Sequence, residues 1–346
     1  MLIVIQNKIN IEKIMKDIYK NTFLYFEEKA HKYTDSNNRE YISVTTIIGK
    51  YAPQFNKKFW AHKKAKEQGC SEKEIIRQWD RIKDEACERG SNTHNGIEDA
   101  IKDVSKFKDA IQYLQQSEGR CITVADIPNM LPTPLDIEKF KEATDNKYPE
   151  IYSVFQFYVD RGYTIYSEIA VFDPELQISG TIDILCYKPE NFVILDWKTN
   201  RDGLKFESGY FKKDKTKIPN QLTKEWVRTH NKMLAPLSHL DECNGSHYSM
   251  QLSIYARLTE RILNIPCVGL GLCHIGSAFI LNEYGQPLRD KDGYHIDENG
   301  KETVTWYRIQ YLSNEAESVF KDRIIEVKSK QNKEVKQLNL FDDEIN

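Results

Sequence analysis

The chain has 346 residues, of which 40% are hydrophobic, 29% charged and 11% aromatic, and its formal net charge is −3. This is a soluble globular composition, long enough to bury a sizeable core in about two domains or one elaborated domain. It excludes a polycation, so any nucleic-acid surface must be a local patch, and no stretch has the length of a transmembrane span.

The N-terminal MLIVIQNKIN starts apolar, with no basic region before it and no small-residue cleavage site, and reads as mature sequence. Residues 23–48, FLYFEEKAHKYTDSNNREYISVTTII, are a predicted β-hairpin in which two β-rich runs flank the turn cluster DSNN. Residues 55–118 have helical spacing of apolar residues, with few breakers until Gly90 and Gly96. Residues 121–134 carry three prolines and read as a linker or loop, and 135–160 as one or two further helices.

A strand-rich block comes next: 163–173, 178–188 and 191–199, with short turns that favour antiparallel neighbours. Residues 200–248 are polar and lysine-rich, and 249–263 form an amphipathic helical pattern. Segments 267–275 and 303–312 read as strands, 314–336 as an increasingly charged helix, and the last ten residues as a tail. The seven cysteines are scattered, odd in number and without a CxxC, which points to a reducing, cytoplasmic compartment and away from a zinc ribbon. Internal repeats and low-complexity tracts are absent from the sequence.

The chemistry starts from VILDWKTN, residues 193–200, an apolar run interrupted by Asp196 and Lys198. Charges are costly in a buried strand unless something pairs with them. Asp183, in GTIDIL, precedes Asp196 by thirteen residues across one short turn, so an antiparallel pair brings the two side by side. Lys198 lies two residues beyond Asp196 and shares its face. Two carboxylates and an ammonium at one spot suit a hard divalent cation, Mg²⁺ or Mn²⁺. The bland alternative is an Asp196–Lys198 pair at a strand end.

These residues form an ordered set. Glu168 lies in YSEIAVF, Gly180 and Asp183 in GTID, Asp196 and Lys198 in DWKT, and Gln251 and Tyr255 in QLSIY, while ERGSNTHNGIE supplies Gly90 and His94 upstream. The set resembles the PD-(D/E)xK nuclease superfamily, in particular its RecB-like exonuclease branch, over roughly residues 23–320. The resemblance implies that Asp183, Asp196, His94 and the backbone carbonyl of Trp197 ligate a metal. It implies that Lys198 is the catalytic lysine and that Glu168 assists a second metal or a water. Gln251 would contact the lysine region or DNA, with Tyr255 packed beside it. Some relatives carry a four-cysteine iron–sulfur cluster; the clustered C-terminal cysteines for it are missing here, so none is expected.

The 200–248 segment is long for such a family. It interleaves Lys212, Lys213 and Lys215 with Tyr210, Phe211 and Trp226, which suits a strand-binding flap as well as a solvated loop. A helicase P-loop is lacking. The tail segment Gln337-Leu338-Asn339-Leu340-Phe341 resembles the peptide by which bacterial proteins dock on the β sliding clamp.

The expected fold is α/β, a central mixed sheet flanked by helices. Residues 1–134 would form a hairpin and helical region carrying the histidine, 135–330 a nuclease core, and 331–346 a flexible tail. The expected activity is metal-dependent DNA exonuclease in replication, recombination or repair, in a bacterial cell or phage-infected host. The rivals are a structure-specific endonuclease with the same site and a non-catalytic DNA- or clamp-binding accessory protein.

Overall fold

The computed structural model describes residues 19, 21–27, 29–30, 32–105, 119–130, 134–290 and 294–343, with side chains as far as residue 332. Three short strands, β1 (Leu24–Glu27), β2 (Lys32–Asp35) and β3 (Glu40–Ser43), lead into helices α1 (Val44–Gly49), α2 (Lys57–Gln68) and α3 (Glu72–Val104). A 3-10 turn (Val124–Asn129) and helices α4 (Ile137–Ala143) and α5 (Pro149–Val159) precede strands β4 (Thr164–Asp173), β5 (Ile178–Lys188) and β6 (Asn191–Lys198). Then come the hairpin β7 (Gly209–Asp214) and β8 (Gln221–Arg228), helix α6 (Asn244–Leu263), strands β9 (Cys267–Phe279) and β10 (Asp297–Arg308), and helix α7 (Ser313–Asp343).

The molecule is α/β. An eight-stranded mixed sheet runs β1-β2-β3-β5-β6-β9-β10, with β4 paired to β5, and β7–β8 form a separate two-stranded sheet. β4–β5 and β5–β6 are antiparallel, as their short turns require, whereas β3–β5 and β6–β9 are parallel. Helices cover both faces. On one side α1, α6 and α7 pack Ile47, Met250, Leu252 and Phe320 onto Leu185 and Ile194. On the other, α3, α4 and α5 pack Ile97, Phe140 and Phe155 onto Ile184, Leu195 and Trp197. Trp197 is fully buried between the rings of Phe155 and Trp306, whose centroids lie 6.1 and 6.0 Å from it. Such aromatic pairs add about 0.5–1.5 kcal/mol beyond the area they bury.

Two sequence expectations need correction. The run Val44–Ile48 continues the predicted hairpin as strand, but it is helical: Ser43 caps the helix by accepting a hydrogen bond of 3.1 Å from Thr46 N–H, and Val44, Ile47 and Ile48 are buried. Burial and the cap override the β-propensity of the branched residues. Gly90 and Gly96 do not break the long helix either; α3 runs from a Ser71–Glu74 capping box to Val104 without interruption. The hairpin proper is present around DSNN, where β2 pairs with β3, and β1 adds a third strand.

Candidate metal centre

The register Ile184↔Leu195 places Asp183 opposite Asp196, one step beyond the last paired residues of β5 and β6. On the other side of β5, Ser167↔Ile184 and Ile169↔Ile182 bracket a position where Glu168 faces Asp183. Glu168, Asp183 and Asp196 therefore form a row across three adjacent strands. Glu168 takes a left-handed backbone, φ 52°, in the middle of β4. A non-glycine residue held there costs on the order of 1–3 kcal/mol and occurs where the surroundings over-determine it.

Helix α3 crosses this row. Arg89 Nη2 donates to the Thr199 carbonyl just past β6 at 2.7 Å. A Cβ on Gly90 would stand 3.0 Å from Thr199 Oγ1, so the glycine permits this close approach. One turn on, His94 Nδ1 is 3.8 Å from Asp183 Oδ2. Glu98 then hydrogen-bonds Glu168, and Lys102 pairs with Glu168. His94, Glu98 and Lys102 recur at every fourth residue and so share one stripe of the helix.

His94, Glu98 and Asp183 each offer a ligand atom, all within 4.8 Å of one another. Asp196 lies beside them, 1% exposed, and neither of its carboxylate oxygens receives a directed hydrogen bond, although Lys198 sits against Oδ2 as an ion pair. A buried carboxylate so poorly satisfied is expensive unless a cation joins it. Asp183 Oδ2 accepts from the Trp197 backbone N–H at 3.0 Å. An extended residue points its N–H and C=O to the same side, so the Trp197 carbonyl faces the β5 side too. One imidazole with several carboxylate oxygens fits Mg²⁺ or Mn²⁺.

Burial and neighbouring charges set the protonation of each group. Burial, then the Asp196 charge, pushes Asp183 up to about 8. Burial, then Glu168, pushes Glu98 up to about 10, so Glu98 is the protonated partner that donates to Glu168. Burial would raise Glu168 as well, but Glu98 and Lys102 outweigh it and hold its carboxylate below the usual range. Burial holds the His94 imidazole below its ordinary pKa, against the opposing Asp196 charge, so it is neutral and can ligate. Burial alone would lower the Lys198 pKa, yet Asp196 and Asp183 raise it, and the ammonium stays charged.

Helix α6 closes the far side. Tyr255 is buried over Gly180, where an added Cβ would meet its ring at 2.6 Å. Gln251 donates to Tyr255 Oη at 3.3 Å. The Lys198 ammonium lies 4.7 Å from the centroid of the Tyr248 ring, and Tyr248 Oη hydrogen-bonds Asn200 at 3.0 Å.

His94, Glu168, Asp183, Asp196 and Lys198 thus lie together with Glu98, Lys102, Arg89 and Tyr248, whereas Gln251, expected at the lysine or on DNA, is bonded to Tyr255. The i+4 spacing of Glu98 from His94 was the available signal for it. Lys212, Lys213 and Lys215 line a neighbouring cleft, whereas Trp226 packs on Phe211, 5.0 Å between centroids, with Lys205 over its ring. Gln337, Leu338, Leu340 and Phe341, expected in a flexible tail, lie instead on the helical backbone of α7, and their side chains are outside the described residues. No helix among the described residues is long and apolar enough to cross a membrane. No family model, curated protein or solved structure matches this chain.

Proposed function

We propose that the protein is a metal-dependent DNA nuclease of the RecB-like PD-(D/E)xK type, acting as an exonuclease in replication, recombination or repair. The observation that carries this reading is the row Glu168–Asp183–Asp196, with Lys198 beside it and His94 and Glu98 delivered by a crossing helix. A paired Asp196 and Lys198 alone would not call for the imidazole, the second acid and the strained Glu168.

His94, Glu98, Asp183 and Asp196 would hold Mg²⁺ or Mn²⁺, with the Trp197 carbonyl turned toward the same side. When bound, the cation supplies a Lewis acid for a phosphoryl oxygen and an acidified water. Glu98 must release its proton to ligate, and Glu168, already ionised, is placed to receive it or to orient a water. Lys198 stays protonated and stands where negative charge develops on the phosphate, so its part is electrostatic and not that of a base. Tyr248 limits the directions the ammonium can take. The QLNLF tail adds a proposed docking peptide for a bacterial β clamp, resting on its residue types alone.

The test is cleavage of end-labelled linear and closed circular DNA with Mg²⁺, Mn²⁺ or EDTA, beside Lys198→Ala and Asp183→Ala. Metal-dependent loss of linear DNA only, abolished by both substitutions, is expected. Cutting of circles makes the enzyme an endonuclease with the same site. Absence of cleavage under either metal, with DNA binding intact, overturns the nuclease reading in favour of an accessory protein.

A further inference from the structure

A cleft of about 790 Å³ opens directly beside the candidate metal centre. Its floor is the segment that leaves β6, Arg201 to Lys205, together with His274 and Ser277 of β9. His274 is the register partner of Lys198, and Arg89 of α3 reaches Ser277 Oγ at 3.1 Å, so floor and metal centre are continuous. One wall is the β7–β8 hairpin and the other is the arm that links β9 to β10.

The two walls are tied to each other. Gln221 donates to the Arg289 carbonyl at 3.0 Å and accepts from the Arg289 N–H at 2.9 Å. Asn282 donates to the Leu222 carbonyl at 2.9 Å, and Tyr284 Oη donates to Asp214 at 2.8 Å. The hairpin is therefore a fixed roof and not a free loop.

The lining is strongly one-signed. Arg201, Lys205, Lys212, Lys213, Lys215 and Arg289 face the cleft against a single acid, Asp202. Among the described residues Lys213, Lys215 and Arg289 make no ion pair, and the buried Arg289 Nε has no hydrogen-bond partner. After burial, Lys64 of α2 and Arg289 hold the Lys213 pKa below the ordinary lysine value, against the opposing charge of Glu67. Three elements thus converge an excess of positive charge, of which Lys212 is paired with Glu225 and the rest faces Asp202 alone within the cleft. Such an arrangement opposes folding and persists where a polyanion completes it. Tyr210, 54% exposed, offers a ring at the same mouth.

The dimensions limit the polyanion. Clefts of roughly 300–1,000 Å³ enclose ligands of small-molecule cross-section. A volume in that range suits one strand better than a double helix, whose major groove alone is about 12 Å wide. One strand fits, with phosphates on the cations and a base on an exposed aromatic ring.

We infer that the cleft binds a single strand of DNA, with Arg289 and Lys213 on its phosphates, and admits no intact duplex. The fate of the bound strand rests on the nuclease reading: a strand threaded here leads straight to Lys198, so a duplex must fray before it is cut.

The experiment is fluorescence anisotropy in EDTA, where no cleavage occurs. The probes are a labelled oligothymidylate and a blunt hairpin duplex with the same number of phosphates. The single strand is expected to bind at least about tenfold more tightly than the duplex. In Arg289→Gln/Lys213→Gln, that affinity falls about tenfold. The slope of log K against log salt falls by about 1.4, two phosphates at about 0.7 each. Equal affinity for the duplex overturns the inference, as does an unchanged salt slope. Lys213→Glu alone repeats the test on an exposed residue if the double variant folds poorly. Because binding is read without metal, strand binding with no cleavage sinks the nuclease reading alone, and cleavage without strand preference sinks this inference alone.

Discussion

Asp183 of β5 accepts its hydrogen bond from the backbone N–H of Trp197, the residue that separates Asp196 from Lys198 on β6. The carboxylate of one strand is thus held by the backbone of the motif on the next. The side chain of Trp197 is locked in the opposite core, so the position of Asp183 is set by packing that lies away from the charged row. This is how an apolar strand holds a polar centre in place.

The raised carboxyl groups make stability depend on pH. In the unfolded chain Asp183 and Glu98 titrate near their ordinary values of 3.8 and 4.5, whereas the fold raises them to about 8 and about 10. The folded protein therefore binds more protons between these limits. The contribution of these two groups to metal-free stability is fully present below about pH 4 and declines as pH rises toward 8 and 10. Cation affinity runs the other way, since ligation needs the protons removed. Urea denaturation in EDTA at pH 6 and pH 9 should give the lower midpoint at pH 9, and Asp183→Asn should shrink the difference. A higher midpoint at pH 9 would refute the assignment.

Lys198 balances a buried carboxylate, 1% exposed at Asp196. Lys198→Met leaves that charge unpaired, which should destabilise the metal-free protein by up to about 3–5 kcal/mol. Saturating Mn²⁺ should return about 3–4 kcal/mol of the loss, the linkage expected at a few hundred to a thousand times Kd. Cleavage should stay at least about 100-fold down even when the metal is bound. Melting curves with and without Mn²⁺ read the first two effects, and recovery of activity with stability would show that Lys198 only supports the fold.

Gly180 and Tyr255 act as one packing unit. Gly180→Ala forces a Cβ into the Tyr255 ring at 2.6 Å, at a cost of about 1–3 kcal/mol. Tyr255→Leu should remove most of that penalty, so the double variant is more stable than the sum of the single changes. Additive denaturation midpoints would show that the glycine is needed for another reason.

The left-handed backbone of Glu168 reverses an ordinary preference. In a strand alanine usually outranks glycine, yet at φ 52° glycine is free of strain. Glu168→Gly should be about 1 kcal/mol more stable than Glu168→Ala, while both lose activity. The opposite order in urea denaturation would mean that the strand relaxes once the Glu98 and Lys102 contacts are gone.

The sequence made the centre of the site legible because two strands with a short turn leave little freedom in where Asp183 and Asp196 meet. For Glu98 it offered only the i+4 spacing from His94. That residue sits in a helix crowded with acids, and only the crossing angle of α3 over β4 to β6 singles it out from Glu85 or Glu88. The role of Gly90 was hidden for the same reason: it reads as a helix breaker until Thr199 is seen against it. Val44–Ile48 misled through β-branched propensity, which a serine cap and tertiary burial overrode. The lysines of the 200–248 segment were visible, but their unpaired partner Arg289 lies far along the chain, and the wall it forms exists only after folding.

The most direct test of the site is Mn²⁺ binding to the purified protein, monitored by the electron paramagnetic resonance of the free ion at pH 8. The wild-type chain should remove Mn²⁺ from solution at a saturable site. Asp183→Ala should weaken that binding at least about tenfold, Glu98→Gln should do so as well, and Lys198→Met should leave it intact. Saturable binding that survives both acid substitutions, or no binding to the wild-type chain at all, would contradict a metal centre built on this row.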